Sequence, residues 1–194
     1  MKKSLLLVGI VATLFAFTPP AEVYNVDLTR SKIEWIGRKV TGEHGGEIKL
    51  ASGQLNLDKN KLSSGTFQMD MKTITVTDIT GPNADKLLGH LKSDDFFSTE
   101  KNATSKFVIT KVEHQGADKA IITGNLTIKG ITNALVFPAS VKQKDGVVVA
   151  IANGVKVDRT KYEIKYGSKN FITGLGDKAI DDDFELNITL VAKK

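Results

Sequence analysis

No cysteine occurs among the 194 residues. That absence excludes a disulfide framework, a thiol nucleophile and a lipid-modified leader, which needs cysteine at its cleavage point. The chain also lacks a G-x-S-x-G nucleophile elbow and a glycine-rich phosphate loop. Its basic residues are scattered rather than clustered, so it carries no electrostatic footprint for nucleic acid. The formal charge is +5, of which Lys2 and Lys3 supply two; the remaining +3 is an ordinary solubility value. His44, His90 and His114 lie in separate segments, and no metal site is read from them. "HGGE" (His44 to Glu47) holds too few ligands and reads as a turn. "DDDFE" (Asp181 to Glu185) lacks the spacing and glycine of a calcium loop and reads as a solvated acidic turn. Neither a cofactor nor a catalytic residue is indicated.

What is present begins with a leader. Lys2 and Lys3 precede an almost unbroken apolar run over residues 5 to 17, followed by small residues and prolines. The pattern predicts a secretory signal peptide over residues 1–21, cleaved just before Glu22, with an uncleaved anchor as the alternative. The protein is then expected in the periplasm or the medium, with no stable membrane span after the leader is removed. Residues 22–194 form one domain, held by its core alone.

After residue 24 nearly every segment alternates with period two. Ile33 and Trp35 oppose Glu34 and Arg38; Phe67, Met69 and Met71 oppose Gln68, Asp70 and Lys72. Phe107 and Ile109 share a face, as do Ala120, Ile122, Leu126 and Ile128. "DGVVVAIANGVKVDRT" places Val147, Val149, Ile151, Val155 and Val157 together, and Phe184, Leu186, Ile188, Leu190 and Ala192 alternate with polar residues. One apolar and one polar face is the mark of antiparallel sheet. Long strands and short turns ("TGEHGGE", "LDKNKLSSG", "HQGADK", "KGITN", "KQKDG") predict an up-and-down meander. The expected fold class is all-β, an extended eight-stranded antiparallel lipocalin-like β-barrel with one short helix inserted between strands. The helix is "NADKLLGHLKS", where Ala84, Leu87, Leu88 and Leu91 have helical spacing and Asn83 is placed to cap the start.

An eight-stranded barrel is either packed solid or hollow enough for one ligand. Trp35, Phe67, Met69, Met71, Phe107 and Phe137 are long, flat or adaptable side chains suited to a pocket. The same inward faces carry Ile109, Leu126, Ile128, Phe184 and Leu186. Leu88 and Leu91 of the helix, with Phe97 beyond it, are expected to close the interior. Phe96 and Phe97 are assigned to the seam between helix and barrel. Arg38, His44 and Arg159 are the candidate polar contacts at the mouth. The alternative is a structural or interaction barrel whose filled core binds no lipid.

The runs "HLKSDDFF", "ATSKFVITKV" and "GNLTIKGITNALVFPASV", in this order, resemble the YceI-like family of secreted polyisoprenoid-binding proteins. "VTGEHGGEIKLASGQLNLD" and "VKVDRTKYEIKYGS" agree with it, and the resemblance spans about residues 24 to 193. It implies a lipocalin-like barrel with a long apolar lumen and a non-catalytic carrier or sequestering role. The implied ligand is an isoprenoid lipid, either a polyprenyl phosphate or a quinone-like molecule. Oligomeric state stays open, a homodimer included.

Overall fold

A computed structural model describes residues 21–194; the expected leader lies outside them except for its last residue. Nine strands follow in order: β1 (Glu22–Val26), β2 (Lys32–Lys39), β3 (Gly42–Asp58), β4 (Lys61–Asp70), β5 (Thr104–His114), β6 (Lys119–Ile128), β7 (Ile131–Lys144), β8 (Val147–Asp158) and β9 (Ile180–Lys193). Among the described residues there is one α-helix, α1 (Pro82–Lys92), which lies between β4 and β5.

All neighbours are antiparallel, and the sheet closes into the barrel expected from the sequence. Eight strand positions account for nine segments because β1 and β2 share one slot. Both pair with β3 on one side and β9 on the other, β1 at Leu55 and Ala192, β2 at Gly46 and Leu186. The interruption is a turn organised by Asp27, whose carboxylate accepts from the Thr29 and Arg30 amides at 3.2 Å. Ser31 Oγ accepts from the Val191 amide at 3.0 Å, fastening the turn to β9. Closure removes the unpaired edges that an open meander would expose.

Three hairpins turn on residue pairs with positive φ at both positions: Lys59-Asn60, Lys129-Gly130 and Asp145-Gly146. Such turns match the right-handed twist of the strands they join. Bulges in the β2–β9, β3–β4, β5–β6 and β8–β9 ladders add the curvature that closing the sheet requires.

The structure corrects several expectations drawn from the sequence. In β8 the buried face is Val148, Ala150 and Ala152, while Ile151 is 39% exposed. Both faces of "VVVAIA" are apolar, so periodicity alone left the phase undecided. A bulge after Ala152 then returns Val155 and Val157 to the interior. Gly154 occupies the bulge at φ 65°, and its amide donates to Asn187 Oδ1 at 2.9 Å. "HGGE" is not a turn but part of β3, and "DDDFE" is the start of β9. Helix α1 is entered through Gly81 with Pro82 in its first turn; Asn83 does not cap it.

Beyond β4 the chain runs beside the first half of β3 as an irregular continuation. Thr75 and Thr77 donate to Glu47 O and Gly45 O, both at 2.9 Å. The Thr75 carbonyl then accepts from Trp35 Nε1 at 3.0 Å, satisfying the one polar atom of a buried indole. Gly46 makes this crossing fit, because a Cβ there would lie 1.8 Å from Thr75 O. Gly46→Ala is therefore expected to push the segment off β3. Overpacking of this kind costs about 3 kcal/mol. The measurement is a lowered melting temperature with red-shifted emission from Trp35, the chain's one tryptophan.

Candidate functional site

The barrel is filled at one end and hollow toward the other. Tyr24, Leu57, Val148 and Ala192, at most 1% exposed, pack the end where β1 meets β9. The remaining interior encloses a cavity of about 190 Å³. Its wall is built by period-two geometry, which sends alternate side chains inward. Trp35, Leu50, Phe67, Met69, Phe107, Leu126, Phe137, Ala150, Phe184 and Leu186 come from eight strands, β2 to β9.

The aromatic rings form a band across one wall. Phe67 stacks near Phe107 with centroids 6.5 Å apart, and Phe107 leans on Phe137 at 5.6 Å. The Phe107 ring lies against Gly124, where a Cβ would come within 2.3 Å of it. A glycine in β6 thus makes room for the ring of its neighbour.

Of the residues singled out from the sequence, Trp35, Phe67, Met69, Met71, Leu91, Phe97, Phe107, Ile109, Leu126, Ile128, Phe137, Phe184, Leu186 and Arg159 line the cavity. Leu88 does not; it is partly buried and packs against the hydrophobic core. Both Phe96 and Phe97 reach the lining. Phe96 packs between His90 of α1 (4.8 Å) and Tyr166 (5.8 Å), while Phe97 meets Phe184 of β9 edge-on at 6.2 Å. The helix, Met71, Ile74 and these rings close the hollow end.

The three candidate polar contacts do not converge. Arg38 lies outside, paired with Glu43 at 3.0 Å and Glu185 at 2.7 Å. His44 also lies outside, 2.8 Å from Asp78. Burial works against the Asp78 carboxylate, yet the Gly45 amide and the His44 ring hold its pKa below the usual range. Arg159 is 3% exposed, not a solvated surface side chain. Its Nε donates to Asp181 O (2.9 Å), Nη1 to Ile164 O and Tyr166 O (2.8 Å each), and Nη2 to Ile180 O (3.1 Å). Burial pulls the pKa of this guanidinium down, while Asp182, Asp158 and Asp181 act in the opposite sense. Four of its five N–H donors are taken by carbonyls, and the Asp182 carboxylate lies 3.6 Å from Nη2, so Arg159 fastens the loop between β8 and β9 instead of standing free for a ligand's head.

Sequence reasoning missed several contributors. Tyr166 backs Phe96, Gly124 seats Phe107, and Ala139, Ala150 and Ala152 set the local width of the lumen. Small side chains on an inward face were the available signal for the last group.

The wall is also incompletely laddered. β7 pairs with β8 only from Ser140 to Lys144, leaving residues 131–139 without a strand partner on that side. A 3-10 turn over Arg159–Tyr162 packs there instead, with Asn133 Nδ2 donating to Lys161 O at 3.0 Å and Tyr162 buried.

Together these features define a closed antiparallel barrel with an apolar, end-capped lumen. The YceI-like domain model matches residues 24–192, and the chain belongs to that family. It is 29% identical over 152 residues to a UPF0312 protein of Photorhabdus laumondii, covering 77% of this chain and 74% of the relative. It is 34% identical over 94 residues to a UPF0312 protein of Shewanella denitrificans, a match of 48% of this chain that spans about half (47%) of that relative. A solved polyisoprenoid-binding domain from Saccharophagus degradans, implicated in plant cell wall breakdown, has the same fold at a TM-score of 0.67. It is 14% identical, covering 88% of this chain and 97% of that domain.

Replacing Arg159 by methionine would leave four carbonyls without their donor. We expect Arg159→Met to lower stability by about 3 kcal/mol. The loop it holds should also become the first site of tryptic cleavage, at Lys165, Lys169 or Lys178, in limited proteolysis read by mass spectrometry.

Proposed function

We propose that the protein is an exported, non-catalytic carrier that holds the tail of an isoprenoid lipid in the barrel lumen. The observation that carries this reading is the lining itself. Apart from Ser105, Arg159 with four of its five donors engaged, and Asp181 and Asp183 at the exposed rim, the wall is made of apolar side chains and glycine. Such a space recognises hydrocarbon by shape. Each carbon withdrawn from water contributes roughly 0.8 kcal/mol, so a tail binds firmly without a polar code. Family membership and the polyisoprenoid-binding description of the Saccharophagus domain support the ligand class. The leader-like first residues support export.

The cavity's size adds a condition. An apolar cavity of about 150 Å³ is known to take a single benzene. At about 190 Å³, the lumen in this conformation accepts only a short stretch of tail. A long isoprenoid needs the lining to yield, and Met69, Met71 and the Phe67–Phe107–Phe137 band are the adaptable part of it. Ligand uptake should therefore swing these side chains, with the tail passing between the aromatic band and β9.

Mass spectrometry of an organic extract of the purified protein is expected to find an isoprenoid lipid. Added quinone or polyprenyl phosphate should shift or quench the emission of Trp35 in the wall. Ala150→Phe narrows the lumen and should reduce uptake more than tenfold while the barrel still folds. Protein that is empty from every source and unresponsive to both lipid classes would overturn the proposal in favour of a barrel acting through its outer face.

A further inference from the structure

We propose that the loop between β8 and β9, residues 160–179, docks on anionic phospholipid membranes and is where the lumen exchanges its cargo. This rests on the carrier reading for the cargo, but the surface has its own evidence.

The base of the loop is rigid. Arg159 binds the carbonyls of Ile164, Tyr166, Ile180 and Asp181, and the Ile180 amide donates to Gly167 O at 2.9 Å. From that base the tip projects. Phe171 and Ile172 both donate their amides to Ser168 O, at 3.2 and 2.9 Å, in a turn that leaves their side chains 53% and 41% exposed. Tyr166 is 46% exposed, and Val40, whose amide donates to Ala179 O at 3.2 Å, is 53% exposed beside the loop. Exposed large apolar residues gathered on one loop call for a partner.

Charge selects the partner. The segment carries Lys161, Lys165, Lys169 and Lys178 against Glu163 and Asp177. Lys161 lies 4.0 Å from Asp158 and Lys165 2.6 Å from Glu163; Lys169 and Lys178 have no acidic partner among the described residues. Lys165 Nζ sits 4.8 Å from the centre of the Phe171 ring, so cation and apolar ring are presented together. Apolar and aromatic side chains flanked by lysine are the composition of a surface that beds into an anionic lipid interface. Nearby acids limit the orientation. Asp182 is 3.6 Å from Arg159 and accepts from Asn170 Nδ2 of the loop at 2.6 Å, and Glu185 pairs with Arg38. Asp181 and Asp183 are exposed and without a cationic partner among the described residues, so docking has to engage Phe171, Ile172 and Lys165 while keeping this acidic side out of the membrane.

Position supplies the purpose. Tyr166 packs on Phe96, and Phe96 lines the lumen, so one layer of side chains separates docking surface from cavity. The unladdered half of β7 lies at this same end, where β8 runs into the loop. A hydrocarbon tail moving from bilayer to lumen here would avoid passage through water, the step that the hydrophobic effect makes slow.

Flotation with vesicles tests the surface without any cargo. The purified protein should float with vesicles of phosphatidylcholine mixed with phosphatidylglycerol, and far less with phosphatidylcholine alone. Each lysine charge lost near an anionic surface lowers partitioning roughly fivefold. Lys169→Glu with Lys178→Glu should thus abolish flotation at moderate salt, and Phe171→Ser with Ile172→Ser should cut it more than tenfold. All four positions are exposed, so melting temperatures should stay unchanged. Failure to float, flotation without preference for anionic lipid, or equal flotation of all variants would overturn the proposal. So would a dimer, seen by light scattering, that Phe171→Ser with Ile172→Ser dissolves, since the patch would then belong to a second copy. Lipid in the extract without docking removes this proposal alone; docking with persistently empty extracts keeps the surface and removes the carrier.

Discussion

The fold depends on one constraint: a single sheet carries the apolar face of the chain, and among the described residues no second sheet covers it. The sheet must therefore bury that face against itself, and it does so where its first and last strands meet. Ile33 opposite Ile188, Trp35 opposite Leu186 and Val26 opposite Ala192 are the contacts of that closure. They join residues more than 150 positions apart, a separation whose entropic cost rises only logarithmically with length. Once this ladder forms, the outer edges of the meander are paired and only the β7–β8 gap stays unladdered, alternate side chains converge, and an eight-strand circumference leaves space that side chains fill only in part.

The two ends of the barrel solve different problems. At the β1 end the interior is short of space, and Tyr24 and Val148 pack it. At the other end the wall widens beyond the reach of its side chains, and the chain brings in other material: α1, the Phe96–Phe97 pair and the Arg159-bound loop. A filled core and a lumen are thus not rival descriptions of this barrel. They occupy different lengths of it.

Most of the strands were legible in the sequence because the physical rule is local. A residue's face follows from its neighbours two positions away, as in Leu126 and Ile128 or Phe184 and Leu186. The rule failed where its input was degenerate. "VVVAIA" is apolar on both faces, and the bulge at Gly154 changes the phase. Three glycines and a histidine near the start of β3 imitate a turn, yet Gly46 is there for the Thr75 crossing, which no local reading contains. Arg38 and His44 were candidates for a ligand's head because they are polar and near the mouth; Glu43, Glu185 and Asp78 engage them instead.

By itself, the sequence determined the class of protein: an all-β domain without disulfides, its strands, most of its turns, its helix, and a family resemblance strong enough to suggest a ligand. Those are properties of short segments, set by side-chain alternation and by turns that need positive φ. Tertiary structure decided how far the lumen extends, which rings close it, that Arg159 holds a loop rather than a head group, and that β7 and β8 part company over half their length. Each of those depends on what a residue meets from a distant part of the chain. Packing and hydrogen-bond satisfaction are settled only when the barrel is closed.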